Sequence, residues 1–145
     1  MNAGIGKPIL IVEDFEPDAR LLESVLTRAG VANPIHMVGD SDDAIAYLRS
    51  DGRYHDRSSF PLPGVLLLDI GLPGKNGLAV LECCKGITPV RDLLKIAITA
   101  NNSLEVINQA YALGAQAFLL KPVAARDIVD LVSAFPGCWT NRPAV

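Results

Sequence analysis

Val65-Leu66-Leu67-Leu68-Asp69-Ile70-Gly71-Leu72-Pro73-Gly74 is an apolar run closed by one carboxylate and followed by a turn bearing glycine and proline. Such a pattern reads as a short strand, buried on both faces, that delivers a single acid to a loop. A second run, Ile9-Leu10-Ile11-Val12, ends the same way in Glu13-Asp14. In an open parallel sheet the C-terminal ends of neighbouring strands border one crevice, where ligands bind. Glu13, Asp14 and Asp69 are therefore expected to converge. Two unit charges about 4 Å apart repel by roughly 4 kcal/mol at an effective dielectric near 20. Clustered acids of this kind hold protons at neutral pH or bind a hard divalent cation. Magnesium suits the second role, because it takes oxygen ligands and keeps waters that a substrate phosphate can displace.

Outward from these two runs, apolar segments alternate with helical patterns. Strands are expected at 8–13, 34–38, 64–69, 93–99 and 115–120, and helices at 17–29, 41–49, 77–85, 103–113 and 124–134. Leu21, Leu22, Val25 and Leu26 give the first helix an apolar stripe, with Pro17 suited to its first turn and Gly30 to its end. Asn102, three residues before Glu105, resembles a capping arrangement. Strands rich in branched residues and separated by helices imply a parallel sheet with right-handed crossovers. The expected fold is α/β: a flavodoxin-like (βα)5 doubly wound sheet with strand order 2-1-3-4-5.

A length of 145 residues suits one domain, with a core at 8–134, a short tail at 135–145 and no output domain. The net charge of −3 gives no reason to expect nucleic-acid binding. No apolar run approaches the roughly 20 residues that span a bilayer, so no membrane partner is expected. Residues 1–7 lack a signal peptide's hydrophobic segment, which points to the cytoplasm. Cys83, Cys84 and Cys138 read as reduced, partly buried thiols. The stretch 50–63 reads as a solvated connector, and Trp139 as a residue that packs back on the domain or meets a second copy.

Two further strand ends carry polar groups: Thr99-Ala100 follows Ile96-Ala97-Ile98, and Lys121-Pro122 follows Ala117-Phe118-Leu119-Leu120. An ammonium and a hydroxyl beside a carboxylate–metal cluster supply the contacts a phosphoryl group needs. Any one of these residues alone has an ordinary structural reading. Their joint placement at strand ends is the specific signal.

The chain resembles the receiver domains of two-component response regulators over most of its length. The resemblance rests on Glu13-Asp14, on Leu68-Asp69-Ile70 with Leu72-Pro73 and Gly77, on Thr99-Ala100 and on Lys121-Pro122, in family order and at family spacing. Leu72-Pro73-Gly74-Lys75-Asn76-Gly77 and the long connector further resemble single-domain regulators paired with phytochrome-type histidine kinases. The resemblance implies that Asp69 accepts a phosphoryl group from a sensor histidine kinase. It implies that Asp14, Asp69 and the Gly71 carbonyl hold Mg2+, with Glu13 acting through a water. Thr99 and Lys121 then contact phosphoryl oxygens, Ala100 leaves room for their approach, and the bond before Pro122 is cis. Phe118 takes the family's switch-aromatic position, where core packing is its other reading. Phosphorylation is expected to repack the fourth and fifth β/α units toward a downstream protein. Val106, Ile107 and Ile128 on those units serve either a homodimer surface or the core.

On this reading the protein is not an enzyme beyond its own phosphorylation and dephosphorylation. Phe15 stands where many relatives carry a polar residue, so the lifetime of the phosphoryl group is not inherited from them. A haloacid dehalogenase-like phosphatase also uses a strand-end aspartate with magnesium. It needs an acid two residues later, where this chain has Gly71. A module that is never phosphorylated is the remaining alternative, and it predicts no metal binding.

Overall fold

The computed structural model describes residues 7–71, 77–87, 93–100 and 103–141. The strands are β1 (Ile9–Val12), β2 (Ile35–Val38), β3 (Val65–Asp69), β4 (Leu94–Thr99) and β5 (Ala117–Leu120), paired in parallel in the order β2-β1-β3-β4-β5. The helices between and after them are α1 (Glu16–Arg28), α2 (Ser41–Arg49), α3 (Gly77–Gly86), α4 (Leu104–Ala112) and α5 (Ala125–Ala134). The doubly wound fold is as expected. The strands begin one or two residues later than predicted. Before β5, the Lys95 N–H donates to Gln116 Oε1 at 2.9 Å.

Alternation along the buried strands divides the core in two. Ile9, Ile11, Val65, Leu67, Ile96 and Ile98 face α1 and α5, where Leu22, Leu26, Ile128 and Leu131 meet them. Leu10, Val12, Leu66, Leu68 and Ala97 face α2, α3 and α4, represented by Tyr47, Leu48, Leu81 and Ala110. Pro17 lies at the start of α1, where its missing N–H costs nothing. Asp40 caps α2 by accepting the Asp43 N–H at 2.7 Å. Ser103 takes the N-cap position of α4; Asn102 lies outside the described residues.

One expectation needs correction and two are narrowed. The connector 50–63 is not merely solvated. It forms a 3-10 turn at Gly52–Tyr54, buries Tyr54, and stacks Phe60 edge-on against Tyr47 and Tyr54. Arg57 fastens this segment by donating to the carbonyls of Tyr47, Leu48 and Phe60 at 2.9, 3.0 and 3.1 Å. Of the two readings open for these residues, Ile107 and Ile128 take the core one, and half-buried Val106 packs against the α2–α4 side. Their hydrophobicity faces inward; the exposed apolar side chains of this region are Leu104, Tyr111, Leu120 and Val129. The tail does return to the domain: Trp139 packs on the α1–α5 side, and Asn33 accepts the Thr140 N–H at 2.6 Å while donating to the Cys138 carbonyl at 3.3 Å. Cys83, Cys84 and Cys138 are all free thiols, and burial pushes that of Cys84 up to about 11.

Gly77 sets the position of the β3 end. A Cβ there would lie 2.6 Å from Ile70 Cα and 2.7 Å from the Asp69 carbonyl oxygen, both backbone atoms that cannot swing aside. We predict that Gly77→Ala lowers stability by about 1–3 kcal/mol, the usual range for overpacking, as measured by urea unfolding. A neutral result would show that the β3–α3 approach is looser than described.

Candidate functional site

Register brings the polar strand ends to one edge of the sheet. Val12 pairs with Leu68, Asp69 with Ile98, and Thr99 with Leu120, so Glu13, Asp69, Thr99 and Lys121 fall on adjacent strand ends. Lys121 is the hub. Its Nζ donates to Asp69 Oδ2 at 2.9 Å, to Asp18 Oδ2 at 3.0 Å and to Glu13 Oε1. The other Asp69 oxygen, Oδ1, accepts the Gly71 N–H at 2.8 Å. Asp14 is exposed, yet one carboxylate oxygen from each of Glu13, Asp14 and Asp69 lies within 4.8 Å of the others.

A cavity of about 300 Å³ opens here, lined by Glu13, Asp18, Asp69 and Lys121 on its polar side and by Leu21, Ala100 and Val123 among its apolar walls. Thr99 is buried at the end of β4, and its carbonyl accepts the Lys121 N–H at 2.9 Å. The Lys121–Pro122 peptide is cis. Phe118 lies away from this cavity. It is half-buried on the α2–α4 side of the sheet, edge-on to Tyr111 with centroids 6.2 Å apart. Of the sequence-predicted set, Leu72 to Asn76 and Asn101 lie outside the described residues.

Sequence reading missed Asp18. As an acid in the first turn of a helix it looks like an ordinary partner of the helix dipole. Only the orientation of α1 over the strand ends reveals its contact with Lys121. Helical spacing from Asp14 could not have revealed it, because Asp14 precedes the helix.

Glu13, Asp14, Asp18 and Asp69 carry four formal negative charges against the one positive charge of Lys121, leaving −3. The Glu13 carboxyl is pushed up to about 7, chiefly by burial; the Lys121 contact opposes the rise and the Asp69 charge adds to it. Burial also works against the Lys121 ammonium, but its bonds to Glu13, Asp69 and Asp18 outweigh that and hold it protonated above the ordinary lysine range. An excess of closely spaced oxygen donors fits a hard divalent cation. Softer metals that favour sulfur or imidazole find neither in this group of ligands.

Residues 9–133 match the family model of the response regulator receiver domain. The chain belongs to that family. It is 28% identical to response regulator Rcp1 of Synechocystis sp. over 92% of this chain and 88% of that protein. The Mn2+-bound crystal structure of Rcp1 superposes with a TM-score of 0.73, covering 95% of this chain and 99% of that one. Response regulator RPA3017, in red light signaling of R. palustris, gives a TM-score of 0.80 at 27% identity over 95% of this chain and 99% of that one. The phosphorylated cyanobacterial phytochrome response regulator RcpA gives 0.75 at 27% identity over 89% and 90% of the two chains. Receiver domains are signalling proteins phosphorylated on aspartate, and the phosphatase alternative is not favoured. No helix among the described residues is long and apolar enough to cross a membrane.

The sign of the Glu13 shift makes a prediction for metal-free protein. Its folded value of about 7 stands above the ordinary 4.5, so the folded state binds more protons between those values. The stability this group contributes is complete below about pH 4.5 and is lost as pH rises through about 7. Glu13→Gln should therefore gain on wild type by on the order of 1–2 kcal/mol between about pH 5 and pH 8. Denaturant unfolding in EDTA at the two pH values checks this, and a constant gap would mean that Glu13 titrates normally.

Proposed function

We propose that the chain is a single receiver domain whose Asp69 accepts a phosphoryl group from the phosphohistidine of a sensor kinase. The observation that supports this most directly is the convergence of Asp69, two neighbouring acids and the Lys121 ammonium at the strand ends. An Asp69 carboxylate oxygen attacks phosphorus. The bond from phosphorus to the imidazole nitrogen breaks, and that nitrogen leaves with the electron pair. Phosphoryl transfer of this kind needs positioning and charge neutralisation more than covalent machinery.

The residues divide that work. Asp14, Asp69 and the Gly71 carbonyl would hold Mg2+, with Glu13 acting through a metal-bound water. When bound, the ion offsets negative charge on the acids and on the incoming phosphoryl oxygens. Lys121 exchanges its bond to Asp69 for one to a phosphoryl oxygen. The Thr99 hydroxyl meets a second oxygen, and the small side chain of Ala100 leaves the approach open. Phe118 would follow Thr99 as a switch, moving against Tyr111 and the α4 side. The protein then acts catalytically only on itself, works in the cytoplasm and passes its signal by protein contact. The names of its relatives support a phytochrome-type kinase as partner. Association through α4, β5 and α5 would use Leu104, Tyr111, Leu120 and Val129.

Intact mass after incubation with acetyl phosphate and Mg2+ tests the assignment. Wild type should gain one hydroxylamine-labile phosphoryl group and Asp69→Asn none; equal labelling of both would remove Asp69 from the role. A beryllofluoride adduct should also alter amide exchange in α4, β5 and α5. Unchanged exchange there would sink the switch.

A further inference from the structure

Lys121 carries one acid more than the proposed chemistry uses. Asp18 reaches its ammonium at 3.0 Å from the first turn of α1 and lines the same cavity as Asp69. Its side chain is 37% exposed, against 6% for Glu13 and 11% for Asp69, so it stands on the solvent side of the cluster. Glu16, in the same turn, shares the favourable relation to the helix dipole, but pairs with Arg20 at 3.6 Å. Holding Lys121 and placing negative charge beside the cavity distinguish Asp18 from that neighbour.

We propose that Asp18 is a positioning residue that acts through Lys121 and selects among phosphodonors by charge. The inference rests on the receiver chemistry above. During transfer from acetyl phosphate, an Asp69 oxygen bonds to phosphorus while the phosphorus–oxygen bond to acetate breaks and acetate leaves with the electron pair. The phosphoryl oxygens need the ammonium, and they bring more negative charge to a cluster that stays formally net negative even with a divalent cation bound. Asp18 opposes both requirements: it retains Lys121 and it repels an anion entering from solvent. A kinase can offset that cost through contacts over its docking surface, whereas a small anion has none to offer. Asp18 thus biases the domain toward its protein donor.

The test follows phosphorylation by intact mass at saturating Mg2+, with acetyl phosphate and the less negatively charged phosphoramidate as donors. Asp18→Asn should speed labelling by acetyl phosphate about three- to tenfold, given one unit charge removed a few ångströms away in partly solvated surroundings. Phosphoramidate should gain less, Asp18→Glu should return toward wild type, and Glu16→Gln should leave both rates unchanged. The proposal is overturned if Asp18→Asn is no faster, if both donors gain by the same factor, or if Glu16→Gln reproduces the effect. Wild type that takes no phosphoryl group on Asp69 would defeat the receiver chemistry itself. Labelling of wild type at a rate Asp18→Asn merely matches defeats only the role of Asp18.

Discussion

One ammonium holds the strand ends together. Lys121 follows β5, Asp69 ends β3, Glu13 follows β1 and Asp18 opens α1, so a single side chain ties three strands and a helix across the sheet. Without it, the partly buried carboxylates would face one another with no other ammonium bonded to them among the described residues, and the rise that burial imposes on Glu13 would be larger. A buried charge cluster is weak evidence for stability, because desolvation offsets much of the attraction. The cost is better understood as preorganisation. The cluster is short of positive charge by design of its residue types, and both a divalent cation and a rearranged lysine relieve it.

The scaffold makes that concentration of charge tolerable. β1 and β3 are buried along their whole length, with apolar residues on both faces and helices covering each side. Parallel pairing with every crossover delivering a helix puts all the C-terminal strand ends on one edge, so the acids need no long loops to meet. Gly77 then lets α3 close against the β3 end, which fixes the carbonyl of Asp69 within van der Waals reach of the helix start. Sheet register and one glycine do most of the positioning.

These features were legible in the sequence because they are local. Leu66-Leu67-Leu68-Asp69 announces both a buried strand and its terminal acid, and Lys121-Pro122 marks the last strand end in the same way. What could not be read depends on partners far apart in the chain. Asn33 meets Cys138 and Thr140 across more than a hundred positions, and nothing near Asn33 marks it as a clasp for the tail. Arg57 looks like any loop cation until the end of α2 presents it with carbonyls. Val106, Ile107 and Ile128 stood open between surface and core for a related reason: helical periodicity identifies an apolar face but not the side of the sheet that receives it.

The path from site to surface is short and made of backbone. Thr99 closes β4, and its carbonyl accepts the Lys121 N–H, so the residues proposed to contact the phosphoryl group are bonded to each other through the main chain. A backbone movement at either residue is therefore passed to the β4–β5 junction. β5 is an edge strand with Leu120 exposed, and Phe118 from the same strand packs edge-on against Tyr111 of α4. An edge strand has ladder bonds on one side only, so it moves at lower cost than β1 or β3, which are held on both. The centre of the sheet is held on both sides and carries the acids, and the edge is the element that the proposed switch would use. Tyr111 gives Phe118 a defined partner, so the proposed shift of β5 would be registered at that contact.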